Sequence, residues 1–428
     1  MTKNMQKEKY NTKNNKKIFI VIIMDGASDH LRIMNRSPLE LAQTPYLNKI
    51  TKEGFVGLVQ TLYPDLPKDS VVAQLGLLGY DPYKYFPKGR SFFEVPNNVE
   101  VREDDLIFRV NLVFMDQNNV LKSYNGSGVN SEEARKIVDI INVKSEKLFP
   151  EFKLYNISDF RNTLVIKNAG KLKFDLKYYE PHEEEGKCFD LDRLIYSESK
   201  SPFVDRINDY ISFAKKNINS LKVNNIFPWG YSHPINLPKF SENLKSCFIG
   251  NMDFLNGFAN QMGFDFCKIG NSNWDTDYKD KGKNTMRKID EGYDFIYCHI
   301  NGPDEASHMN DVKKKIFSIE QIDQHILKPI FSYFERFPGK LGAVAICPDH
   351  YTNIRNDSDS ATRRDAHSID PVPFLVWDGK RKDKVKDFSE NSALTGLYGS
   401  TVISHLDLLG LMGLSKEKLS KQKDKSFL

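Results

Sequence analysis

The chain of 428 residues has few cysteines and lacks long apolar runs. Its five cysteines are odd in number and scattered, which argues against a disulfide framework and predicts thiols in a reducing compartment. No apolar run reaches the roughly 18 to 20 residues that a membrane-spanning helix requires. The amino terminus is rich in Lys and Asn and lacks the pattern of a cleavable signal. We therefore expect a cytoplasmic protein without a membrane segment.

The sequence also lacks a strong excess of charge. Lys and Arg total 61 against 57 for Asp and Glu, so the net charge is only +4. The positive excess lies largely at the two ends, where residues 1–16 and 415–428 are predicted to form a disordered tail and a charged tail. This distribution argues against a nucleic-acid partner. A hydrophobic content of 40% and the length of the chain allow two domains with full cores.

A strand-like run that ends in acid and imidazole lies in the second half of the chain. Residues 294–300 are rich in β-branched and aromatic side chains, as in a buried strand. If Pro303 opens a helix directly afterwards, Asp304 and His308 lie four residues apart on one helical face. A carboxylate and an imidazole at this spacing can bind one metal ion. A helix cap beside a surface histidine accounts for this pair equally well.

The same chemistry recurs after a second apolar run. Residues 341–347 form another strand-like segment, which is followed by Asp349 and His350. His367 comes later, on a polar stretch before a further apolar run. Because ends of successive predicted strands keep supplying Asp and His, the pattern favours a metal site over isolated caps and surface histidines.

The amino-terminal strand supplies one more carboxylate. Residues 17–24 are continuously apolar after Lys17, which predicts a strand covered on both faces and hence a parallel sheet. Asp25 and Gly26 follow it. In open parallel sheets, ligands bind beyond the carboxyl ends of the strands. Asp25 is therefore a candidate ligand, although an ordinary turn residue is an equally good interpretation of this dipeptide.

Ser70 is a candidate nucleophile. It precedes an apolar run, residues 71–78, that is typical of a buried helix. A serine at a helix start lies near unpaired backbone N–H groups, where the helix dipole favours negative charge. Its hydroxyl becomes a nucleophile only if a neighbour, such as a metal ion, lowers its pKa. Without such an ion, Ser70 is an ordinary N-cap serine.

Taken together, these segments resemble the cofactor-independent phosphoglycerate mutases of the archaeal type, which belong to the alkaline phosphatase superfamily. The motifs follow the family order and cover nearly the whole chain outside the tails; they are Asp25-Gly26, residues 37–45, Ser70 with residues 77–82, residues 108–112, residues 303–308, Asp349-His350 and residues 367–373. The resemblance implies an alkaline-phosphatase-like α/β fold with a doubly wound, mostly parallel sheet. The core would comprise residues 17–114 and 239–414, and residues 115–238 would form an inserted α+β cap domain.

The resemblance also implies a two-metal site and a reaction. Asp304, His308 and His367 would hold one ion. Asp25, Asp349 and His350 would hold the other, beside Ser70 as nucleophile and ligand. Oxygen and imidazole ligands without thiolates suit Mn, Zn or Mg, and we expect Mn. The family reaction interconverts 3-phosphoglycerate and 2-phosphoglycerate, a glycolytic step, through a phosphoserine and without bisphosphoglycerate.

Further residues match family positions that contact the small anionic phosphoester substrate. Such a substrate needs positive groups, because charge stabilisation supplies much of the rate of phosphoryl transfer. The candidates are Arg90, Arg109, Asn111, Arg161, His182 and Lys315. Lys315 lies seven residues after His308, and hence on the same helical face. For the basic residues, a surface salt bridge is the alternative interpretation.

Two departures from the family pattern bear on the substrate. Val71 stands where the family usually has Asp after the nucleophile, and Ser91-Phe92 replaces the Gly-Pro after the pocket arginine. The first removes a carboxylate beside the metals, and the second adds a bulky ring near the pocket. They favour the alternative of a phosphatase or phosphotransferase that acts on another small phosphate or phosphonate ester. A third hypothesis is a non-catalytic binding protein. The oligomeric state is left open.

Overall fold

The computed structural model describes residues 16–170, 175–354, 366–404 and 407–414. The two predicted tails lie outside these residues, apart from Lys16. Contacts divide the chain into two compact units. The first comprises Met1–Lys84, Lys239–Asn251 and Gly263–Leu428, and the second comprises Tyr85–Pro238 and Met252–Met262. Within the described ranges, no helix is long and apolar enough to cross a membrane.

The strands of the described residues are, in chain order, β1 (Ile18–Met24), β2 (Phe55–Gln60), β3 (Leu106–Met115), β4 (Leu121–Ser123), β5 (Phe152–Ser158), β6 (Arg161–Ile166), β7 (Asn225–Ser232), β8 (Ser246–Gly250), β9 (Asp265–Lys268), β10 (Phe295–Ile300), β11 (Leu341–Cys347), β12 (Tyr351–Thr352), β13 (His367–Ser368), β14 (Val372–Trp377) and β15 (Tyr398–Ser404). The α-helices are α1 (Pro38–Leu41), α2 (Pro45–Glu53), α3 (Ser70–Leu77), α4 (Pro82–Tyr85), α5 (Ser131–Ser145), α6 (Pro202–Asn217), α7 (Asp253–Met262), α8 (Tyr278–Asp290), α9 (Gly302–His308), α10 (Val312–Ile322), α11 (Lys328–Arg336), α12 (Glu390–Ala393) and α13 (Leu408–Leu411).

The first unit is built on a large, mostly parallel sheet. In its described part, the strand order is β15-β2-β14-β11-β1-β10-β8-β9. Only β14 runs antiparallel to its neighbours in this part of the chain. The continuous apolar run of β1 lies in the interior of the sheet, and its side chains on both faces are buried apart from Phe19, which is partly buried. The predicted α/β class with a mostly parallel sheet is confirmed.

Strand register places the candidate ligands at one edge of this sheet. Strand β1 pairs in parallel with β10 through Met24 and Ile300, and with β11 through Ile23 and Cys347. The three strands therefore end side by side. Asp25, Asp304 and Asp349 follow these ends within a few residues, which explains how carboxylates distant in the sequence come together.

The second unit contains an antiparallel sheet and the helices α5 and α6. Strands β4, β3, β6 and β5 are neighbours in that order, and β7 pairs with β3. The domain boundary predicted at residue 115 falls at the end of β3, which belongs to this unit because both β6 and β7 pair with it. Helix α7 also belongs here, since Gly257 packs so closely on Phe93 that an added Cβ would lie 2.0 Å from the Phe93 carbonyl oxygen.

A buried carboxylate distant in the sequence caps helix α2. Asp323 lies in a π-helical turn, Asp323–Leu327, that links α10 and α11. It accepts hydrogen bonds from the backbone N–H groups of Tyr46 (3.0 Å) and Leu47 (2.7 Å). These are two of the donors that the first turn of a helix leaves unpaired.

We expect Asp323→Ala to lower the free energy of unfolding by about 1–3 kcal/mol, because it leaves buried N–H groups unpaired. Asp323→Asn keeps a side-chain carbonyl and should lose less. Urea denaturation of the two variants beside the wild type measures the difference. Equal stability of all three proteins would contradict a capping role.

Candidate metal centre

Asp304, His308 and His367 form one ligand group. Helix α9 begins at Gly302, with Pro303 in its first turn. Asp304 and His308 are four residues apart in this helix and therefore share a face, with His308 Nε2 3.2 Å from Asp304 Oδ2. His367 Nε2 lies 3.5 Å from Asp304 Oδ1 and 3.3 Å from His308 Nε2. The His308 side chain is 42% exposed, so solvent reaches this group. A carboxylate oxygen and two imidazole nitrogens thus meet at one point, as ligands of a metal ion do.

The charges of this first group are strongly coupled. Burial opposes ionisation of Asp304, but the neighbouring His308 and His367 hold its pKa well below the ordinary value. Asp304 in turn raises the pKa of His308. Burial opposes protonation of His367, yet the hydrogen bond and the charge of Asp304 raise its pKa to about 9. Since metal ligation requires neutral imidazoles, an ion would displace these protons.

A second group surrounds Asp25. Asp25 Oδ1 lies 3.4 Å from His350 Nε2, and Asp349 Oδ2 lies 3.5 Å from the same nitrogen. Asp25, Asp349 and His350 are fully buried. Both carboxylate oxygens of Asp25 lack a hydrogen-bond partner among the described residues. Burial, followed by the charges of Asp349 and Asp304, raises the pKa of Asp25 well above its ordinary value. Buried carboxylate oxygens without a hydrogen-bond partner fit the role of metal ligands.

Ser70 lies beside the second group. It is the first residue of α3, and Asp69 caps the helix by accepting from the Val71 N–H at 2.7 Å. Ser70 Oγ is 3.1 Å from His350 Nε2. The predicted nucleophile is therefore in contact with a predicted ligand. Val71, the residue after Ser70, is fully buried in α3.

Neighbouring side chains hold the ligands in place. The Thr352 hydroxyl donates to Asp304 Oδ1 at 2.6 Å and lies 3.1 Å from His350 Nδ1. Gln74 Nε2 donates to Asp349 Oδ2 at 2.9 Å. Neither residue was predicted from the sequence. In the sequence, Thr352 is a polar residue close to Asp349 and His350, and Gln74 is a polar residue within an apolar helix.

Gly26 has a steric reason to be glycine. Its φ is +61°, and a Cβ there would lie 2.5 Å from Thr352 Oγ1 and 2.7 Å from Asp304 Oδ1. The left-handed backbone and the crowded surroundings both exclude a side chain. The turn after β1 thus brings Asp25 close to Asp304.

We expect Thr352→Val to weaken metal binding about 10- to 100-fold, because the variant loses the hydroxyl that orients Asp304. Thr352→Ser keeps that hydroxyl and should retain most of the affinity. Competition with a chromogenic chelator measures both values. Equal affinities of the Val variant and the wild type would show that the contact does not support the ligand.

Lys315 differs from its prediction as a substrate-binding residue. It is fully buried, and its ammonium donates to Asp29 Oδ2 (2.8 Å), Thr352 O (2.8 Å) and Ser28 O (3.2 Å). These bonds use the three donors of an ammonium group. Burial lowers the pKa of Lys315, and the Asp29 carboxylate opposes that shift. Lys315 therefore ties α10 to the turn after β1 and to Thr352, and it has no donor to offer a phosphate.

Arg90, Arg109 and Asn111 lie together in the second unit. Glu94 Oε1 is 3.3 Å from Arg90 Nε, and Glu94 Oε2 is 2.8 Å from Arg109 Nε. The Arg109 guanidinium also lies over the Trp229 ring, 3.8 Å from its centroid. Asn111 Oδ1 accepts from Trp229 Nε1 at 3.0 Å. Glu94 and Trp229 thus orient two cations, a role that was not predicted for either residue from the sequence.

The other two predicted substrate residues of this unit are exposed. The His182 ring lies 5.5 Å from the Trp229 ring, and partial desolvation of the imidazole lowers the pKa of His182. The Arg161 guanidinium lies 4.4 Å from the Phe160 ring centroid. Phe92, by contrast, is buried and packs on Phe93 within the same unit. Its ring is therefore part of the packing of this unit.

Comparison with known proteins places these residues in a wider context. Residues 16–411 match the Metalloenzyme superfamily. The chain is 27% identical over 413 residues to the 2,3-bisphosphoglycerate-independent phosphoglycerate mutase of Methanosarcina mazei, a match that covers 92% of this chain and 99% of the relative. It is 28% identical over 409 residues to the enzyme of the same name from Methanothrix thermoacetophila, with coverage of 92% and 99%.

Solved structures are similar as well. A protein from Pyrococcus horikoshii superposes with a TM-score of 0.69 at 25% identity, and the match covers 94% of this chain and 98% of that one. The cofactor-independent phosphoglycerate mutase of Thermoplasma acidophilum superposes with a TM-score of 0.59 at 22% identity, with coverage of 93% and 99%. The second likeness bears on the fold alone.

Proposed function

The chain belongs to the Metalloenzyme superfamily, and on this premise we propose that it interconverts 3-phosphoglycerate and 2-phosphoglycerate through a phosphoserine at Ser70, without bisphosphoglycerate. Its resemblance to the archaeal type of cofactor-independent mutase, an isomerase, is confirmed by the relatives that carry this name. The observation that carries the proposal is the proximity of the predicted ligands within each group. Asp304, His308 and His367 meet, and His350 Nε2 lies 3.4 Å from Asp25 Oδ1, 3.5 Å from Asp349 Oδ2 and 3.1 Å from Ser70 Oγ.

The residues fit two divalent metal ions. Asp304, His308 and His367 would hold one ion, and Asp25, Asp349, His350 and Ser70 would hold the other. The buried oxygens of Asp25, which have no hydrogen-bond partner in the described part of the chain, support this assignment. The oxygen and imidazole donors suit Mn, Zn or Mg, with Mn as our choice. When bound, such ions would lower the pKa of the Ser70 hydroxyl and stabilise negative charge on phosphoryl oxygens.

The proposed reaction consists of two displacements at phosphorus. Ser70 Oγ loses its proton and attacks the phosphorus of 3-phosphoglycerate, and the bond from phosphorus to the C3 oxygen breaks. That oxygen takes up a proton, so glycerate and phosphoserine result. The C2 hydroxyl of the same glycerate then loses its proton and attacks the phosphoserine, which releases 2-phosphoglycerate and restores Ser70. Retention of the glycerate distinguishes a mutase from a phosphatase, in which water attacks instead.

Substrate anions require fixed positive groups as well. We assign this role to Arg90 and Arg109, which Glu94 and Trp229 orient, with Asn111 holding the Trp229 indole. Arg161 and His182 remain proposed contacts, since both are exposed to solvent. Lys315 is reassigned to positioning, because its ammonium already has three acceptors. A cytoplasmic location remains part of the proposal.

The alternative is a phosphatase or phosphotransferase for another small phosphate or phosphonate ester. Val71 favours it, because the chain lacks the carboxylate that its family usually has after the nucleophile. Phe92, the second departure from the family pattern, is buried against Phe93.

A coupled assay decides between the two functions. Protein loaded with Mn²⁺ is given 3-phosphoglycerate without bisphosphoglycerate, and both 2-phosphoglycerate and inorganic phosphate are measured. The proposal predicts isomerisation with little released phosphate. Phosphate release without isomerisation would support the phosphatase, and absence of both products from the metal-loaded protein would point to a different phosphoester.

A further inference from the structure

A histidine that the proposed two-ion site does not use lies next to that site. His299 is in β10, where it pairs across the sheet with Ile23 of β1. Asp25 is two residues beyond Ile23, so its side chain emerges on the same face of the sheet as the neighbouring imidazole. His299 Nε2 lies 3.3 Å from Asp25 Oδ2. The strand register therefore places an imidazole directly behind a metal ligand.

The His299 ring is buried, and the part of the chain that the structure describes offers it no hydrogen-bond partner. The residue is fully buried, and among the described residues neither Nδ1 nor Nε2 has a hydrogen-bond partner. The Asp25 oxygen 3.3 Å away is likewise without one in this part of the chain. Burying a polar group without a partner is unfavourable, so such groups in a native protein usually bind a ligand or water.

A third carboxylate completes a set of ligands around this ring. Single ligand atoms of Asp25, His299 and Asp349 all lie within 4.8 Å of one another. This group is separate from Asp304, His308 and His367, and it shares two carboxylates with the group beside Ser70. Each carboxylate has two oxygens and can therefore bridge neighbouring ions. One imidazole and two carboxylates suit a divalent cation such as Mn²⁺ or Zn²⁺.

We propose that His299, Asp25 and Asp349 form a third divalent-cation site, adjacent to the two ions of the proposed function. The proposal rests on that function, because Asp25 and Asp349 would be shared with the ion beside Ser70. A cation at this site would fix the position of Asp25 and offset the negative charge of the neighbouring carboxylates.

The buried ammonium of Lys281 lies near this site and is expected to lower its affinity for a cation. The Lys281 ammonium donates to the His299 carbonyl oxygen at 2.8 Å and is 3.3 Å from Asn251 Oδ1. It contacts the backbone of His299 and not the ring, so the imidazole nitrogens remain available to an ion. Repulsion by this ammonium predicts that the third ion binds more weakly than the other two.

Metal stoichiometry tests the proposal without reference to activity. Full-length protein, His299→Ala, His299→Gln and the control His30→Ala are dialysed to equilibrium against rising Mn²⁺, and bound metal is measured by mass spectrometry. His30 is exposed and lies outside the three ligand groups of the described residues, so its variant controls for the loss of any histidine. His299→Gln keeps a polar side chain at this position, and it serves as the test variant if His299→Ala fails to fold.

We expect the wild type and His30→Ala to saturate at about three ions per chain, the last with the lowest affinity, and the His299 variants to saturate at about two. Saturation of the wild type at two ions would overturn the third site and leave the proposed function intact. Equal saturation of the wild type and the His299 variants at three ions would also overturn it. Saturation of the wild type below two ions would contradict both proposals.

Discussion

Ser70→Ala is expected to lower isomerisation of 3-phosphoglycerate roughly a thousandfold or more, because the variant has no oxygen to form the phosphoserine. Metal binding should persist, since carboxylates and imidazoles supply the other ligands. The helix should also persist, because Asp69 and not Ser70 caps α3. The turnover number and the bound metal of the metal-loaded variant are the quantities to measure.

A serine elsewhere offers a matched control. Ser307, in α9, is buried and donates its hydroxyl to the Pro303 carbonyl at 2.7 Å. Ser307→Ala removes a hydroxyl near the ligands but not the proposed nucleophile, so it should retain most of the activity. Activity of Ser70→Ala within tenfold of the wild type would exclude the phosphoserine route.

Lys315→Met should destabilise the protein more than Asp323→Ala does. The variant leaves Asp29 as a buried carboxylate without its cation, and loss of one partner from a buried ion pair lowers the free energy of unfolding by about 3–5 kcal/mol. It also removes the link from α10 to Thr352 O. Denaturant unfolding with and without metal measures the loss.

Replacing both partners separates a structural role from substrate binding. Asp29→Asn/Lys315→Met has no unpaired buried charge at this position. The single Asn carbonyl keeps an acceptor for one of the Leu31 and Ile354 N–H groups, which bind different oxygens of Asp29. We expect the double variant to recover part of the lost stability. A Lys315→Met protein as stable as the wild type, with a raised KM for 3-phosphoglycerate, would instead restore Lys315 as a substrate contact.

Local sequence patterns predicted the parts of the site that neighbouring residues determine. The helix opened by Pro303 is present, and it brings Asp304 and His308 together because four residues make about one turn. The apolar run before Asp25 is an interior strand of the sheet, as continuous burial requires. Periodicity therefore located strand ends and ligand faces well.

Periodicity could not predict how deeply a side chain is buried or which distant residues it contacts. Spacing predicted Lys315 on the helical face of His308, but this was wrong, because α9 ends at His308 and Lys315 lies in the separate helix α10. Spacing also did not show the burial of Lys315 or its pairing with Asp29, which is 286 residues away in the chain. His299 lies in a strand recognised from its apolar residues, yet only the pairing of β10 with β1 brings its ring to Asp25. Thr352 and Gln74 were missed for the same reason.

The second unit shows a similar limit. Residues 108–112 match a family motif, but the sequence did not reveal that β3 pairs with β6 and β7 and so leaves the core assigned to it. Nor did it show that Glu94 lies between Arg90 and Arg109. Family motifs identify residue types, whereas pairing between distant strands decides which of them meet.

The most direct test of the phosphoserine account is to trap the intermediate. Metal-loaded protein is mixed with 3-phosphoglycerate, quenched in acid at short times and digested, and the peptide that contains Ser70 is analysed by mass spectrometry. The account predicts one phosphoryl group on Ser70 that appears before 2-phosphoglycerate and is absent when the metal is removed. Isomerisation at the same rate with no phosphoryl group on Ser70 at any time would contradict it.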